Sequence, residues 1–288
     1  AMLAQGAGRG QAVPLIPNRP SLNQGTMAEK DPKIKAILDA LEYDVDEAQR
    51  LAQEVVSSGD SKLVVEAKGA LVSIYLAKGM LQEALGVGSE AYEMSKTTGN
   101  RALEAGALNA LAVAMVSQES PNLEQAMSTA SGALAIYGEV QDSVGQTEVY
   151  RTMMSMKLID KKNPEARQVA LDAAAAFKAA GDAKGEAAAQ LLLAEACMVT
   201  LKSGEASAAA HEALRLSQAV EDKAGEAAAL LAIVSAELTS PSGKAVWAAG
   251  ERVTVFKYLE DRNQEASALV LLAQAHVASI GLKMATCS

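Results

Sequence analysis

The sequence of 288 residues contains few aromatic side chains and little cysteine. Phe, Trp and Tyr make up 3% of the chain, whereas hydrophobic residues make up 50%, so a core must consist mainly of Ala, Leu, Val and Met. Two cysteines, Cys197 and Cys287, cannot provide the disulfide framework that small secreted domains need. Small aliphatic residues allow helices to approach closely, and Ala has the highest helix propensity. An all-α fold is therefore predicted.

Positive charge is also scarce. The chain has 26 Lys and Arg against 35 Asp and Glu, which gives a formal net charge of −9 and a pI of 4.9. Such a protein repels nucleic-acid backbones and anionic membrane surfaces. The apolar stretches at 227–238 and 266–282 are short or interrupted, whereas a membrane span needs roughly 20 apolar residues. We expect no nucleic-acid partner, no membrane insertion, and a soluble intracellular protein in the cytoplasm or inside an organelle.

Residue combinations typical of catalytic and metal sites are missing from the sequence. His211 and His276 lie far apart, and neither has a second His or Cys at the spacing of a metal site. Cys197 lies within a predicted helix, where a buried inert thiol is expected. The glycine-rich residues 6–10 follow no strand and precede no Lys-Ser/Thr pair, so they do not form a phosphate-binding loop. We predict no catalytic residue, no metal and no cofactor, and hence no enzyme.

What the sequence does contain is a pair of turn-forming residues that recurs about every 40 residues, a period typical of helical repeat arrays. The pairs are Gly59-Asp60, Gly99-Asn100, Gln141-Asp142, Gly181-Asp182, Glu221-Asp222 and Glu260-Asp261. A Glu follows four residues after several of them, at Glu104, Glu186, Glu226 and Glu265. Because a carboxylate in the first helical turn stabilises the helix dipole, we interpret these residues as structural. The period predicts stacked helical hairpins.

Stop and start signals divide each repeat into two helices. Ser120-Pro121 and Ser240-Pro241 each predict a cap followed by a first-turn proline for the second helix. The second helices contain alanines seven residues apart, at Ala84 and Ala91, Ala166 and Ala173, and Ala206 and Ala213. Seven residues are two helical turns, so both alanines of a pair lie on one face. We predict that the two helices of each hairpin touch there.

At these residues the chain resembles the tetratricopeptide repeat (TPR) family. The first helices contain Leu108-x-x-Leu111-Ala112 and Leu269-x-x-Leu272-Ala273, and bulky residues end the second helices at Tyr137, Phe177 and Phe256. The period of about 40 exceeds the usual 34, which makes the chain similar to the longer-repeat type found in kinesin light chains. The resemblance implies a right-handed superhelical α-solenoid of antiparallel helix pairs that binds proteins rather than catalysing reactions.

The resulting division has three parts: an extended Gly/Pro arm at 1–30, a repeat domain at 31–282 and a tail at 283–288. The domain is expected to contain a partial N-terminal hairpin at 31–58 and repeats that begin near 60, 101, 143, 183, 223 and 262. The chain begins with Ala, which fits a vector scar, a trimmed fragment or a processed precursor, and the acid-poor arm resembles the remnant of an organelle-targeting peptide.

In TPR arrays the first helices line the concave face, so the resemblance implies that partners bind there. The predicted partner-binding residues are Asn109, Val113, Val116, Arg151, Leu158, Leu191, Met198, Leu231, Leu238 and Val270. They are mostly apolar and include one cation, so the acidic peptides bound by the family's chaperone adaptors are disfavoured and a neutral or basic apolar segment is favoured. Tight curvature, which would bury some of these side chains, is the alternative explanation for their apolar character.

The arm is a second candidate occupant of this face, in cis or in trans. Its predicted contacts are Arg9, Leu15, Ile16, Arg19 and Leu22, and residues 1–28 contain no acid to offset the two arginines. The sequence thus predicts a non-catalytic scaffold or adaptor. The alternatives are a permanent structural subunit of a larger complex, including an organellar one, and a regulatory domain of a longer protein.

Overall fold

The computed structural model describes residues 31–238 and 244–286, with side chains described as far as residue 280. These residues form thirteen helices and contain no strand. The helices are α1 (Pro32–Tyr43), α2 (Val45–Val56), α3 (Ser61–Ala77), α4 (Leu81–Thr98), α5 (Arg101–Val116), α6 (Leu123–Glu139), α7 (Ser143–Ile159), α8 (Asn163–Ala180), α9 (Ala183–Val199), α10 (Ser203–Ala219), α11 (Lys223–Glu237), α12 (Lys244–Tyr258) and α13 (Arg262–Thr286).

The helices are stacked in two layers. Each helix packs on the next one along the chain, and additional contacts join α1 to α3, α3 to α5, α5 to α7, α7 to α9 and α9 to α11. Because the odd-numbered helices contact one another in series, they form the inner layer of a curved array, and the even-numbered helices form the outer layer. The predicted all-α solenoid is confirmed for the described residues.

The recurring Asp or Asn caps the odd-numbered helices. The side chains of Asp60, Asn100, Asp142, Asp182 and Asp261 each accept a hydrogen bond from a backbone N–H two or three residues later. Such a bond satisfies one of the free N–H groups of the first turn. The sixth member departs from the pattern, since Asp222 accepts no capping bond and instead pairs with Lys184 at 3.6 Å.

The predicted start of α6 is wrong by two residues. Ser120-Pro121 was expected to be the cap and first-turn proline, but α6 begins at Leu123 and its cap is Asn122. The Asn122 side chain accepts a hydrogen bond from the backbone N–H of Gln125, so a free N–H of the first turn is still capped, but by a residue two positions later than expected. The second such signal, Ser240-Pro241, lies outside the described residues.

Alanine and glycine set the distance between helices in the core. Ala84, Ala91, Ala166 and Ala173 are fully buried, as are further alanines of α6 and α10. At Gly88 of α4, an added Cβ would lie 3.3 Å from the Cα of Leu111, so the backbones of α4 and α5 approach closely. A core of this kind needs few large side chains, in agreement with the low aromatic content.

The aromatic residues that end even-numbered helices join one repeat to the next. Tyr137 of α6 lies over Gly145 in the first turn of α7, and Phe177 of α8 lies over Gly185 in the first turn of α9. An added Cβ would be 2.2 Å from the Tyr137 ring and 2.5 Å from the Phe177 ring. These glycines therefore provide the space into which the preceding aromatic ring fits.

Candidate functional site

The concave face consists of the odd-numbered helix positions that point away from the outer layer. These positions lie six, nine and thirteen residues after the capping residue, and their side chains retain accessible surface. They are Glu66, Gly69 and Ser73 of α3; Gly106, Asn109 and Val113 of α5; Glu148, Arg151 and Ser155 of α7; Ala188, Leu191 and Glu195 of α9; and Ala228, Leu231 and Ser235 of α11. We use "concave face" for this set.

The central positions of the concave face change in polarity along the array. Nine residues after the cap, α5 and α7 carry Asn109 and Arg151, whereas α9 and α11 carry Leu191 and Leu231. Leu231 is 40% exposed on this face. The face therefore has a polar part over α5 and α7 and an apolar part over α9 and α11.

Arg151 is the best-connected side chain of the polar part. Its Nη1 donates to both carboxylate oxygens of Glu195, at 2.7 and 2.6 Å, and its Nε lies 3.8 Å from Glu148. Burial alone lowers the pKa of Arg151, but the charges of Glu195 and Glu148 outweigh this effect, so its pKa is raised. The structure thus gives Arg151 a role that the sequence did not reveal, because the guanidinium links α7 to α9.

Asn109 has an unsatisfied acceptor. Its Oδ1 is buried and has no hydrogen-bond partner among the described residues. A buried acceptor without a partner is costly, and such groups are rare in folded proteins. The residue as a whole is only half-buried, so a rotation of its side chain would bring this acceptor to a donor on the concave face.

The other predicted partner-binding residues are unequally accessible. Val116 is buried in a cluster with Ala126 and Ala130 of α6, so it does not line an open groove. It lies seven residues, or about two turns, after Asn109 and so shares that side of α5, but α6 packs over it at the end of the helix. Val113 and Leu158 are half-buried, Leu191 and Leu238 pack against the cluster formed by α9 to α13, Met198 packs beside Cys197, and Val270 is exposed.

Negative charge dominates the concave face. Glu66, Glu148 and Glu195 contribute three carboxylates, and Arg151 contributes one guanidinium. Three against one leaves an excess of negative charge on the surface that the sequence identified as a partner site. A cationic group of a ligand would meet a favourable potential there, and an anionic group would be repelled.

A second polar cluster joins α10, α11 and α12. The Ser207 hydroxyl donates to Glu237 at 2.5 Å, and the His211 Nδ1 lies 2.8 Å from the carbonyl oxygen of Ser207. The His211 ring stacks on Trp247, with centroids 6.4 Å apart. Ser207 is buried, and its hydroxyl donates to the Glu237 carboxylate rather than to the His211 imidazole. These three side chains therefore lack the serine–histidine hydrogen bond that activates a serine nucleophile. Sequence reasoning missed the cluster because its members come from three helices.

Two other kinds of site are absent from the described ranges. Across residues 31–238 and 244–286, no helix combines the length and the apolar character that crossing a membrane requires. In the same ranges, no three His, Cys, Asp or Glu side chains are grouped closely enough to hold a metal ion. The predicted arm contacts, Arg9, Leu15, Ile16, Arg19 and Leu22, lie outside the described residues.

Comparison with known proteins bears on the fold. No family model and no curated protein matches the sequence. Among solved structures, a signal transduction ATPase with numerous domains (STAND) and a tetratricopeptide repeat sensor, from Pyrococcus horikoshii, is 16% identical over 88% of this chain and 42% of its own, with a TM-score of 0.51. A Rap protein complexed with Competence and Sporulation Factor is 14% identical over 89% of this chain and 81% of its own, with a TM-score of 0.53.

The chain has a TPR-like fold. At these identities the similarity establishes the fold alone, and the TPR-like chain spans less than half the length of the STAND protein. A putative kinesin light chain with nearly identical TPR-like repeats is 14% identical over 76% of this chain and 96% of its own. Its TM-score of 0.43 is too low to argue for the kinesin-light-chain type, which stays a prediction.

Proposed function

We propose that this TPR-like protein is a non-catalytic scaffold that binds a neutral or basic apolar segment of a partner protein along its concave face. The observation that carries the proposal is the composition of that face. It presents exposed leucine over α11, an excess of carboxylates over α3 to α9, and an unsatisfied acceptor on α5. The exposed leucine favours the apolar side chains of such a ligand, the carboxylates favour its basic side chains, and the acceptor favours its hydrogen-bond donors.

The apolar part supplies the binding energy. Leu231 is exposed and Leu191 and Leu238 are half-buried, so an apolar side chain placed between them removes hydrocarbon surface from water on both partners. Exposed apolar surface in the concave face of a repeat array is typical of a protein-binding site. Two or three apolar side chains of the ligand are expected to contact this region.

The polar part supplies orientation. A backbone N–H or a side-chain donor of the ligand would satisfy the Oδ1 of Asn109, and a lysine or arginine would be attracted by Glu148 and Glu195. Arg151 holds both carboxylates in place rather than meeting the ligand's charge. The ligand would therefore carry its donors toward α5 and its apolar side chains toward α11.

The comparisons support the general class of function. The Rap protein was solved in complex with Competence and Sporulation Factor, and the repeats of the STAND protein are described as a sensor. A binding role for a TPR-like array is in keeping with both. The role of the STAND repeats also favours the alternative that this chain is the regulatory part of a longer protein.

Fluorescence anisotropy with two labelled peptides tests the proposal. In the first peptide Leu alternates with Lys, and in the second Leu alternates with Glu. We expect the Lys peptide to bind more tightly than the Glu peptide, and Leu231→Gln, which adds no charge to the concave face, to weaken binding of the Lys peptide roughly tenfold, or about 1.4 kcal/mol. Leu171→Gln is the matched control, because Leu171 is 41% exposed but lies on α8 in the outer layer.

Two results would contradict the proposal. The Glu peptide could bind as tightly as the Lys peptide, or Leu171→Gln could weaken binding as much as Leu231→Gln. A protein that begins at Glu29 separates the arm from an outside partner. If this shortened protein binds the Lys peptide more tightly than the full chain does, and a synthetic peptide of residues 1–28 competes with the Lys peptide, then the arm itself occupies the concave face.

A further inference from the structure

The N-terminal arm has the chemistry that the concave face favours. Residues 1–28 contain two arginines, Arg9 and Arg19, and no Asp or Glu, so their side chains are positively charged overall. The concave face has three carboxylates against one guanidinium. Opposite charges steer a segment to a surface and suppress partners of the wrong charge. The arm is therefore a basic segment that is covalently joined to a face that favours basic segments.

The arm also has a mostly aliphatic stripe at a regular spacing. Three of its residues directly precede a proline, in the pairs Val13-Pro14, Ile16-Pro17 and Arg19-Pro20. A residue before proline is restricted to extended backbone, and proline itself favours the polyproline II conformation, which has three residues per turn. This spacing predicts that the three residues share one side of the segment, and Leu22 continues the spacing. We call Val13, Ile16, Arg19 and Leu22 the arm stripe.

The connection between the arm and the array fixes the direction in which the arm can run. The arm leads into Asp31, which caps α1, and α1 contacts α3 in the inner layer. A segment that enters the concave face from this end passes α3 first and α11 last. Within the arm stripe, Arg19 is nearer to α1 than Ile16 is. The polar part of the concave face is likewise nearer to α1 than the apolar part, so the two orders agree.

The length of the arm agrees as well. Packed helices lie about 9 Å apart, so the inner layer extends about 36 Å from α1 to α9 and about 45 Å from α1 to α11. Arg19 and Ile16 precede Asp31 by 12 and 15 residues. At about 3.1 Å per residue, these two stretches span roughly 37 and 46 Å. The same arm can therefore bring Arg19 to the carboxylates of α7 and α9 and Ile16 to the exposed leucine of α11.

We propose that the N-terminal arm binds in the concave face of its own chain, with Arg19 near Glu148 and Glu195 and Ile16 near Leu231. The guanidinium that links α7 to α9 offsets one of these two carboxylates, and a second guanidinium from the arm offsets the other. The apolar contact removes hydrocarbon surface from water. This inference rests on the proposed function, because the arm uses the contacts that an outside partner would use. It adds regulation, since the partner has to displace the arm.

Two features lower the cost of binding within one chain. The arm is tethered to the array, and a short flexible tether gives an effective concentration in the millimolar range. The three X-Pro pairs also restrict the arm before it binds, so fewer conformations are lost when it does. Binding in cis is therefore favoured over binding to a second chain at micromolar protein concentration.

Photocrosslinking of the full chain tests the position of the arm. The photoreactive amino acid p-benzoylphenylalanine replaces residue 16 in one variant and residue 22 in another, and the attached peptides are identified by mass spectrometry. Position 16 should attach to α9 or α11 of the same chain. Position 22, nine residues before Asp31, spans roughly 28 Å and should attach to α5 or α7. Links confined to the even-numbered helices, links between two chains, or no link to the array would overturn the proposal.

Binding of the labelled Lys peptide to the full chain provides a second readout. Ile16→Ser should tighten binding of this peptide several-fold, because a weakened arm leaves the concave face vacant in a larger fraction of the molecules. Leu15→Ser is the matched control, since Leu15 is an aliphatic residue of the same size that lies outside the arm stripe, and it should leave the affinity unchanged. No effect of Ile16→Ser, or an equal effect of Leu15→Ser, would count against the arm stripe.

Two outcomes separate the arm from the proposed function. If the protein that begins at Glu29 and the full chain bind the Lys peptide equally tightly, the concave face accepts such segments but the arm does not occupy it. If neither protein binds the Lys peptide, the proposed function fails. In that case, links from position 16 to α9 or α11 still support the arm as the occupant, and their absence overturns it.

Discussion

Replacing Gly145 by Ala would place a methyl group in the space that the Tyr137 ring occupies where α6 meets α7. The ring of Tyr137 occupies the volume where a side chain at position 145 would begin, since an added Cβ would lie 2.2 Å from Cε1 and 2.4 Å from Cδ1. Carbon atoms in contact are normally separated by about 3.5 to 4.0 Å, so the ring would have to move by more than 1 Å. Tyr137 is buried in the cluster between α5, α6 and α7, which leaves the ring no open space.

The expected magnitude follows from two opposing effects. Overpacking of a core costs about 1 to 3 kcal/mol, and a clash against a buried ring lies at the upper end of that range. Ala in place of Gly in a helix contributes about 1 kcal/mol of stability. We therefore expect Gly145→Ala to lower the free energy of unfolding by about 2 kcal/mol. For a chain of this length, such a change lowers Tm by roughly 3 °C.

Thermal unfolding followed by far-UV circular dichroism provides the measurement, and Gly86→Ala is its matched control. Gly86 is an exposed residue of α4 with no atom within 4 Å of an added Cβ, so its substitution should raise the stability. If the clash with Tyr137 is the cause, Gly145→Ala should cost little in a protein that already carries Tyr137→Ala. A Gly145→Ala protein as stable as the parent, or a cost that persists without the Tyr137 ring, would refute this reasoning.

Two further predictions concern a turn and a buried phenol. Leu201 is 90% exposed and has a φ of 57°, at a position after a helix where Gly59, Gly99 and Gly181 also have positive φ. Leu201→Gly should therefore stabilise the protein by about 0.5 to 1 kcal/mol, measured as a higher Tm, whereas Val199→Gly, two residues earlier at the end of α9, should lower Tm. Burial raises the pKa of Tyr137, so above about pH 10 unfolding releases a proton and the free energy of unfolding falls. In urea unfolding, Tyr137→Phe should lose less stability than the parent as the pH is raised through this range. An unchanged pH dependence would contradict this assignment.

The repeat architecture could be predicted from the sequence because its determinants are local. Asn100, Asp142 and Asp182 cap helices through bonds to residues three positions later, so the residue type and its spacing are sufficient to find them. The alanine pairs of the second helices are also read from spacing alone. The start of α6 was predicted incorrectly because both Ser120 and Asn122 are good caps, and only the packing of the chain selects between them.

The candidate site was harder to predict because its properties depend on distant residues. Arg151 is of a residue type that often binds ligands, but its guanidinium forms an ion pair with Glu195, 44 residues later in the sequence. Val116 matches the spacing of the concave positions but turns into the cluster with α6. The unsatisfied Oδ1 of Asn109 is likewise a property of its surroundings, since an asparagine in a helix usually finds water or a neighbour.

The sequence alone determined the all-α class, the two-helix repeat and the caps, since helix propensity, capping and hydrophobic spacing act between residues a few positions apart. Only the tertiary structure decided which side chains remain accessible. Ala227 and Ala266 hold the same place in their repeats, yet the first is buried and the second exposed. The physical reason is that accessibility depends on the helix that packs above a residue, and α11 has such a helix in α12, whereas nothing in the described part of the chain covers Ala266 on α13.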